Sequence, residues 1–262
     1  MKHLFAIILF FVGFQASNVK KESAFQEGEW FKFEMSYSGF IKAGNATLSV
    51  NEKKLDGKPV YHVVGKGWTT GAIKWFFKVK DRYESYFDKE TGAPYKFIRK
   101  IDEGGHTKDV EINFDHEKKI AEVNNKKDKE TKNITTEQDV QDMVSMYYYL
   151  RNNIDVKSLK VGDEIKTNMF FDEENYGFKL KYLGVETIEV DVNGSDVKVK
   201  TIKFRPYVMA GRVFKEEESL TLWVSADKNK IPLKIKADLA VGSLRADLVE
   251  FKGLKHSFKI VF

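Results

Sequence analysis

The sequence predicts a mainly β protein: a curved antiparallel sheet or partly open β-barrel with one central helix packed against it. Apolar and polar residues alternate with period two along most of the chain, which sets successive side chains on opposite faces of half-buried strands. Apolar spacing suited to a long helix is found in a single segment. At 262 residues the chain is long enough to bury one substantial all-β core.

The chain opens with MKHLFAIILFFVGFQASN: a basic start at Lys2, an apolar run from Leu4 to Phe14, then small and polar residues. This is the layout of a secretory signal peptide, and its core is too short to span a bilayer as a permanent helix. A signal peptide is expected over 1–17, cut near Ala16 to Asn18, followed by a single exported β domain over 18–262. In EWFKFEMSYSG, Phe31, Phe33, Met35 and Tyr37 share one face, while Lys32, Glu34 and Ser36 share the other. Ala46, Leu48 and Val50 continue the rhythm. GKGWTTG, with Gly65, Gly67 and Gly71, lacks the helix start and later acidic residue of a dinucleotide site and the ending of a phosphate loop. It reads as a turn or barrel corner.

In FKVKDRYESYFD, a strand sets Phe77, Val79, Asp81, Tyr83, Ser85 and Phe87 on one face. Lys78, Lys80, Arg82, Glu84, Tyr86 and Asp88 fall on the other, as a charge-alternating solvent face. A turn follows, and Pro94 opens the next strand, where no ladder donor is needed. YFDKETGAPYKF and VSADKNKIPLKI share this plan, so two matched hairpins are expected, one on each side of the helix.

The tract NNKKDKETKN, 124–133, reads as a solvated loop. The helix is expected over about 136–152, with Val140, Met143, Val144, Tyr147 and Leu150 or Arg151 at helical spacing and Thr135 with Gln138 as a capping box. Tyr147, Tyr148 and Tyr149 cannot all face one way, so at least one belongs at the rim, its hydroxyl reaching solvent or a polar partner. In DVKVKTIKFRPYV, Val197 and Val199 fall out of phase with Ile202 and Phe204, which predicts a β-bulge near Lys200 or Thr201. Leu220, Leu222 and Val224, then Leu233, Ile235, Ala237 and Leu239, resume the alternation.

Cysteine is absent, which excludes disulfides, cysteine nucleophiles and thiolate metal sites, and removes the residue that a lipoprotein anchor needs. The five histidines, His3, His62, His106, His116 and His256, offer no local ligand pair, so no metal or other cofactor is expected. No G-x-S-x-G elbow is present, and no catalytic residue is assigned. A formal charge of +5 with interspersed signs points away from nucleic acid, and no second apolar run is long enough to span a membrane. Sequons at Asn45, Asn133 and Asn193 would matter only in a eukaryotic secretory pathway. Asp81 and Ser85 stand out because they share a face with apolar residues. A buried carboxylate needs a partner, and Arg151 at the helix end is the candidate, through a bidentate pair. Tyr147 and Trp75, the latter in the run Trp75-Phe76-Phe77, complete the set of ligand or structural-polar candidates.

FKFEMSYSGFIKAGNATLSV, KVKDRYESYFDKETGAPYKF, the MYYYLR helix end, LKVGDEI and LTLWVSADKNKIPLKIKADLAVGSLRADL together resemble the bacterial exported family catalogued as domain of unknown function 3108. The likeness runs from about Glu27 to the last strand. It implies a Gram-negative envelope location and an antiparallel β architecture akin to the envelope protein YmcC, and more loosely to the half-open barrels of lipoprotein carriers. It implies no activity and no catalytic residues.

The expected role is that of a non-catalytic binding protein for an apolar or glycan envelope ligand, exported to the periplasm and not a lipoprotein. The alternative is a structural or assembly factor that holds another envelope protein through sheet edges and exposed aromatics. An enzyme acting on envelope glycans would draw on Asp81 with Glu84 or Glu103, but alternation sets Asp81 and Glu84 on opposite faces.

Overall fold

The computed structural model describes residues 22–208, 220–239 and 242–261; the signal peptide expected over 1–17 lies outside them. Before the helix the strands are β1 (Trp30–Tyr37), β2 (Ile41–Leu55), β3 (Lys58–Thr69), β4 (Lys80–Asp88), β5 (Pro94–Glu103), β6 (His106–Asp115), β7 (Ile120–Asn125) and β8 (Glu130–Thr135). A four-residue helix, α1 (Ile73–Phe76), sits between β3 and β4, and the main helix is α2 (Met143–Asn153). After it come β9 (Glu164–Phe171), β10 (Glu174–Val192), β11 (Ser195–Val208), β12 (Leu220–Ser225), β13 (Pro232–Asp238) and β14 (Ser243–Lys252).

All fourteen strands form one sheet in the order β8-β7-β6-β5-β4-β3-β2-β1-β14-β13-β12-β11-β10-β9, and every neighbouring pair is antiparallel. The chain starts in the middle of the sheet and meanders out to β8. It then crosses by way of α2 to the far edge at β9, and meanders back until β14 pairs with β1. The sheet is not closed. Its two edges are stitched by side chains: Asn175 donates to the Thr135 carbonyl and accepts from the Glu137 amide, and Lys132 reaches Glu173.

The helix lies inside the curve, as expected, and packs in two directions. Val144 and Tyr148 join Phe25, Tyr61, Val63, Phe87, Phe97, Ile112 and Phe170 in one cluster. Met146 and Leu150 join Phe178, Leu180, Tyr182, Ile202 and Phe204 in another. The two halves of the sheet are thereby held to opposite sides of one short helix.

Both hairpins stand where the sequence puts them, with Pro94 opening β5 and Pro232 opening β13. Three local expectations are corrected. The helix begins at Met143, not near 136, because Asp142 is its cap: the carboxylate accepts from the Val144 and Ser145 amides, and Ser145 Oγ accepts from the Asp142 amide. The preceding residues run beside β9 instead, where the Gln141 amide donates to the Asn168 carbonyl and the Gln141 carbonyl accepts from Phe170. Thr135 and Gln138 therefore cap nothing. The charged tract 124–133 is the β7–β8 hairpin, whose lysines and glutamates decorate a short edge strand.

The third correction concerns the bulge. Every residue of β11 from Ser195 to Val208 is paired with β10, and the register shift lies on the β10 side, between Tyr182 and Gly184. Thr201 and Ile202 are both buried although they point to opposite faces. Val199 packs with Phe31, Phe33 and Leu233, whereas Ile202 and Phe204 pack beneath the helix. The alternation slips because the buried side of the hairpin changes, and no inserted residue is required.

Glu29 and Arg151 close one end of the curve. Both are buried, and Arg151 donates to the two carboxylate oxygens at 2.6 and 2.8 Å. The remaining guanidinium capacity goes to the Asn229 carbonyl at 2.9 Å and the Ala24 carbonyl at 3.3 Å. Burial pushes the Glu29 carboxyl up, and the neighbouring guanidinium opposes that shift. In urea unfolding, Arg151→Leu is expected to lose about 3–5 kcal/mol, because a carboxylate is left buried without its partner. The double variant Glu29→Leu/Arg151→Leu is expected to lose less than that single variant, since no unpaired charge remains.

Candidate functional site

The sequence-derived candidates are not brought together into one site. Asp81 and Ser85 do share the inner face of β4, but different groups satisfy them. Ser85 Oγ donates to the buried Asp142 carboxylate at 2.5 Å, which ties β4 to the start of α2. Burial pushes the Asp142 carboxyl up to about 6, against the hydroxyl and amide donors that surround it. Arg151 is saturated by Glu29 and does not pair with Asp81, which corrects the pairing expected from the sequence. Asp81 instead accepts from the Asp102 amide at 3.3 Å, next to Glu103 and Arg99.

Tyr147 is half-buried, with the Arg151 guanidinium 5.3 Å from its ring centre. The hydroxyls of Tyr147 and Tyr148 are buried without a hydrogen-bond partner among the described residues, so neither is the rim tyrosine. Tyr149, half-buried beside Gly92, takes that position. Trp75 is 89% exposed.

Among the concavities of the described residues, two adjoin the sequence-derived candidates. Beneath α2, a pocket of about 130 Å³ is lined by Met146, Leu150, Phe178, Leu180, Phe204 and Leu222. It is small against the roughly 300–1,000 Å³ typical of ligand pockets, because aromatic rings fill the concave side. Tyr148 packs against Phe25 at 4.6 Å and Phe87 at 5.7 Å between ring centres.

The larger concavity is a groove of about 690 Å³ over the ends of β3, β4 and β5, bordered by Lys74 and Lys78 of the β3–β4 connection. Strand pairing explains its composition. Lys66 lies opposite Arg82, Trp68 opposite Lys80, and Arg82 opposite Lys100, so these side chains share the face turned away from Tyr61, Val63 and Phe87. Lys66, Lys74, Lys78 and Lys80 have no acidic partner among the described residues. Asp81 and Asp102 are the carboxylates in the lining.

Next to the groove, on the same face, the expected solvent position of Glu84 is corrected: it is buried. It accepts from Arg82 at 2.6 Å and meets His62 at 2.7 Å, and His62 stacks on Tyr86 with ring centres 4.1 Å apart. Burial drives the His62 pKa down, although Glu84 pulls the other way. The Glu84 carboxyl is also desolvated, but its bonds to Arg82 and His62 outweigh this and hold it below the usual carboxylate range.

A family profile described as "Protein of unknown function (DUF3108)" matches residues 32–249. The chain belongs to this family. Membership brings no activity with it. No curated protein matches the chain. Among solved structures, a β-barrel-like protein of domain of unknown function 1849 from Brucella abortus aligns with a TM-score of 0.55 at 10% identity, covering 88% of this chain and 100% of that one. That likeness is one of fold alone. A Bacteroides fragilis protein described as exported, with a YmcC-like fold, aligns at a TM-score of 0.35 and 9% identity, covering 87% of this chain and 97% of that one. A protein of the DUF1089 family from Pseudomonas aeruginosa aligns at 0.37 and 7% identity, over 72% and 87% of the two chains.

Chemically, the groove is suited to holding an anion. Among the described residues no three His, Cys, Asp or Glu side chains converge to hold a metal ion. The groove cations were visible as an alternating charged strand face, but their convergence depends on the register of three strands. Glu29, Asn229 and Asp142 were missed, although the Asp142-x-x-Ser145 spacing carries a capping signal.

Burial and then the Glu103 charge push Asp81 up to about 6, against the Asp102 amide and Arg99. Below about pH 4 the carboxyl is protonated in both folded and unfolded chains. Between about pH 4 and 6 the unfolded chain releases its proton first, so stability falls as pH rises through this window and the loss is complete above it. Asp81→Asn removes that loss. Its melting temperature is expected to match the wild type near pH 4 and to exceed it at pH 7; parallel pH profiles would refute the assignment.

Proposed function

We propose that this family member is an exported, non-catalytic binding protein of the bacterial cell envelope, and that it holds an anion-bearing glycan in the basic groove. The observation that carries this reading is the groove itself: a ligand-sized concavity with four cations that lack acidic partners among the described residues, beside Trp68. Phosphate or carboxylate groups on a sugar chain would supply the missing counter-charges, and the apolar face of a sugar ring suits the indole. The pocket under α2 is too small for a lipid chain, which favours a surface-bound ligand over an internal apolar one. The export part of the reading rests on the signal-peptide layout of the first residues.

Geometry also supports a non-catalytic role. Asp81 and Glu103 are in hydrogen-bonding contact on one face, whereas paired glycosidase carboxylates stand about 5 Å or more apart to admit the reacting carbon or water. Glu84 is on the opposite face, engaged by Arg82 and His62.

The test is a titration followed by tryptophan fluorescence, with oligogalacturonate as the anionic probe and a neutral glucan oligomer as control. Binding of the anionic probe alone, weakening with added salt, is expected. Lys66→Glu/Lys80→Glu should weaken it by at least about tenfold, or 1.4 kcal/mol. Equal binding of both probes, or affinity unchanged in the variant, would overturn the reading.

A further inference from the structure

Large apolar side chains are exposed mainly at one end of the sheet. The β1–β2 connection carries Phe40 and begins β2 with Ile41; the β3–β4 connection carries Trp75, Phe76 and Phe77; Leu239 and Leu244 flank the β13–β14 connection. Pairing makes these three connections neighbours: Gly44 lies opposite Thr69, Tyr37 opposite Leu244, and the Ser38 amide donates to the Ser243 carbonyl. The other end of β1 is the one closed by Glu29 and Arg151. Phe40, Trp75 and Phe76 are 77%, 89% and 87% exposed, and no residue of α1 is buried. A segment that buries none of its residues and places Trp and Phe in water has its apolar surface turned outward.

The charges around this tip select its partner. Lys74 directly precedes the aromatic run and Lys78 directly follows it, and neither has an acidic partner among the described residues. Unpaired cations beside exposed aromatic rings fit a surface that is negative at its boundary and apolar beneath. We infer that this end of the molecule docks on an anionic lipid bilayer, with Trp75 and Phe76 entering the boundary between headgroups and acyl chains. Lys74 and Lys78 meet the lipid phosphates. Indole rings favour that depth, and lysines near an anionic surface add attraction that falls off within a Debye length. No helix of the described residues is long and apolar enough to cross a membrane, and the inferred docking is peripheral and reversible. The inference goes beyond glycan binding in the groove: Lys74 and Lys78 border both sites, whereas Trp75 and Phe76 belong to the tip alone.

The full exported chain, without its leader, is sedimented with phosphatidylcholine vesicles with and without phosphatidylglycerol. Co-sedimentation with the phosphatidylglycerol vesicles is expected, with a blue shift in tryptophan emission that Trp75→Phe abolishes. Trp75→Ser/Phe76→Ser should lose most of the bound fraction, and Lys74→Glu/Lys78→Glu should lose the salt-sensitive part. These side chains are exposed, so the variants should melt like the wild type. Wild-type protein left in the supernatant, or a tip variant that sediments like wild type, overturns docking. The two readings are separated by variants confined to one site: Trp75→Ser/Phe76→Ser should retain oligogalacturonate binding, and Lys66→Glu/Lys80→Glu should retain vesicle binding.

Discussion

A carboxylate and a guanidinium, almost wholly removed from water, hold the molecule together at the point where its distant segments meet. Glu29 precedes the central strand, Arg151 ends the helix, and the carbonyls of Ala24 and Asn229 come from the N-terminal segment and the β12–β13 turn. Phe25, Phe31, Tyr147 and Tyr148 surround the guanidinium, each with its ring centre within 6 Å, so the cation is stabilised by ring faces where it lacks further acceptors. The desolvation of two charges makes such a pair weak as a source of net stability but demanding in geometry. Every element that contributes to it must be in place together.

Around that point the chain solves an open-sheet problem. A strongly curved sheet of this many strands needs its concave face filled, and one short helix is enough because it presents apolar residues to both halves. The capped start of α2 is held to β4 through Asp142 and Ser85, and its end is held through Arg151 and through Asn152, whose side chain accepts from the Ala24 amide. The cost is room: with Tyr148, Phe25 and Phe87 filling the interior, ligand-sized space survives at the ends of β3, β4 and β5 instead.

Much of this was legible in the sequence, because alternation is a local signal. The paired faces of β4 follow from period two alone, as do both proline-led hairpins. The helix was legible in existence but not in extent: Val140 has helical spacing, yet the 136–142 segment is recruited to the edge of β9, and that contact is invisible along the chain. The partner of Arg151 was misjudged for a similar reason. Asp81 and Glu29 are equally plausible acids by composition, and only the three-dimensional path decides that Glu29 arrives at the helix end while Asp81 stays at the opposite end of the sheet. The groove lysines looked like an ordinary solvated face, and their convergence became apparent only with three strands in register.

The central pairing of β1 with β14 has a kinetic meaning as well. Trp30 meets Lys252, so the middle of the sheet is completed by residues from opposite ends of the chain. Contacts of such long sequence separation form late, because loop closure must precede the gain from pairing. As the chain emerges, β1 to β8 have their hairpin partners ready, but the outer edge of β1 stays bare until the final strand arrives. An unpaired central strand bearing Phe31 and Phe33 is a template for pairing with another chain. Newly made protein therefore depends on prompt delivery of its last strand, and chaperone demand should concentrate on that one exposed edge.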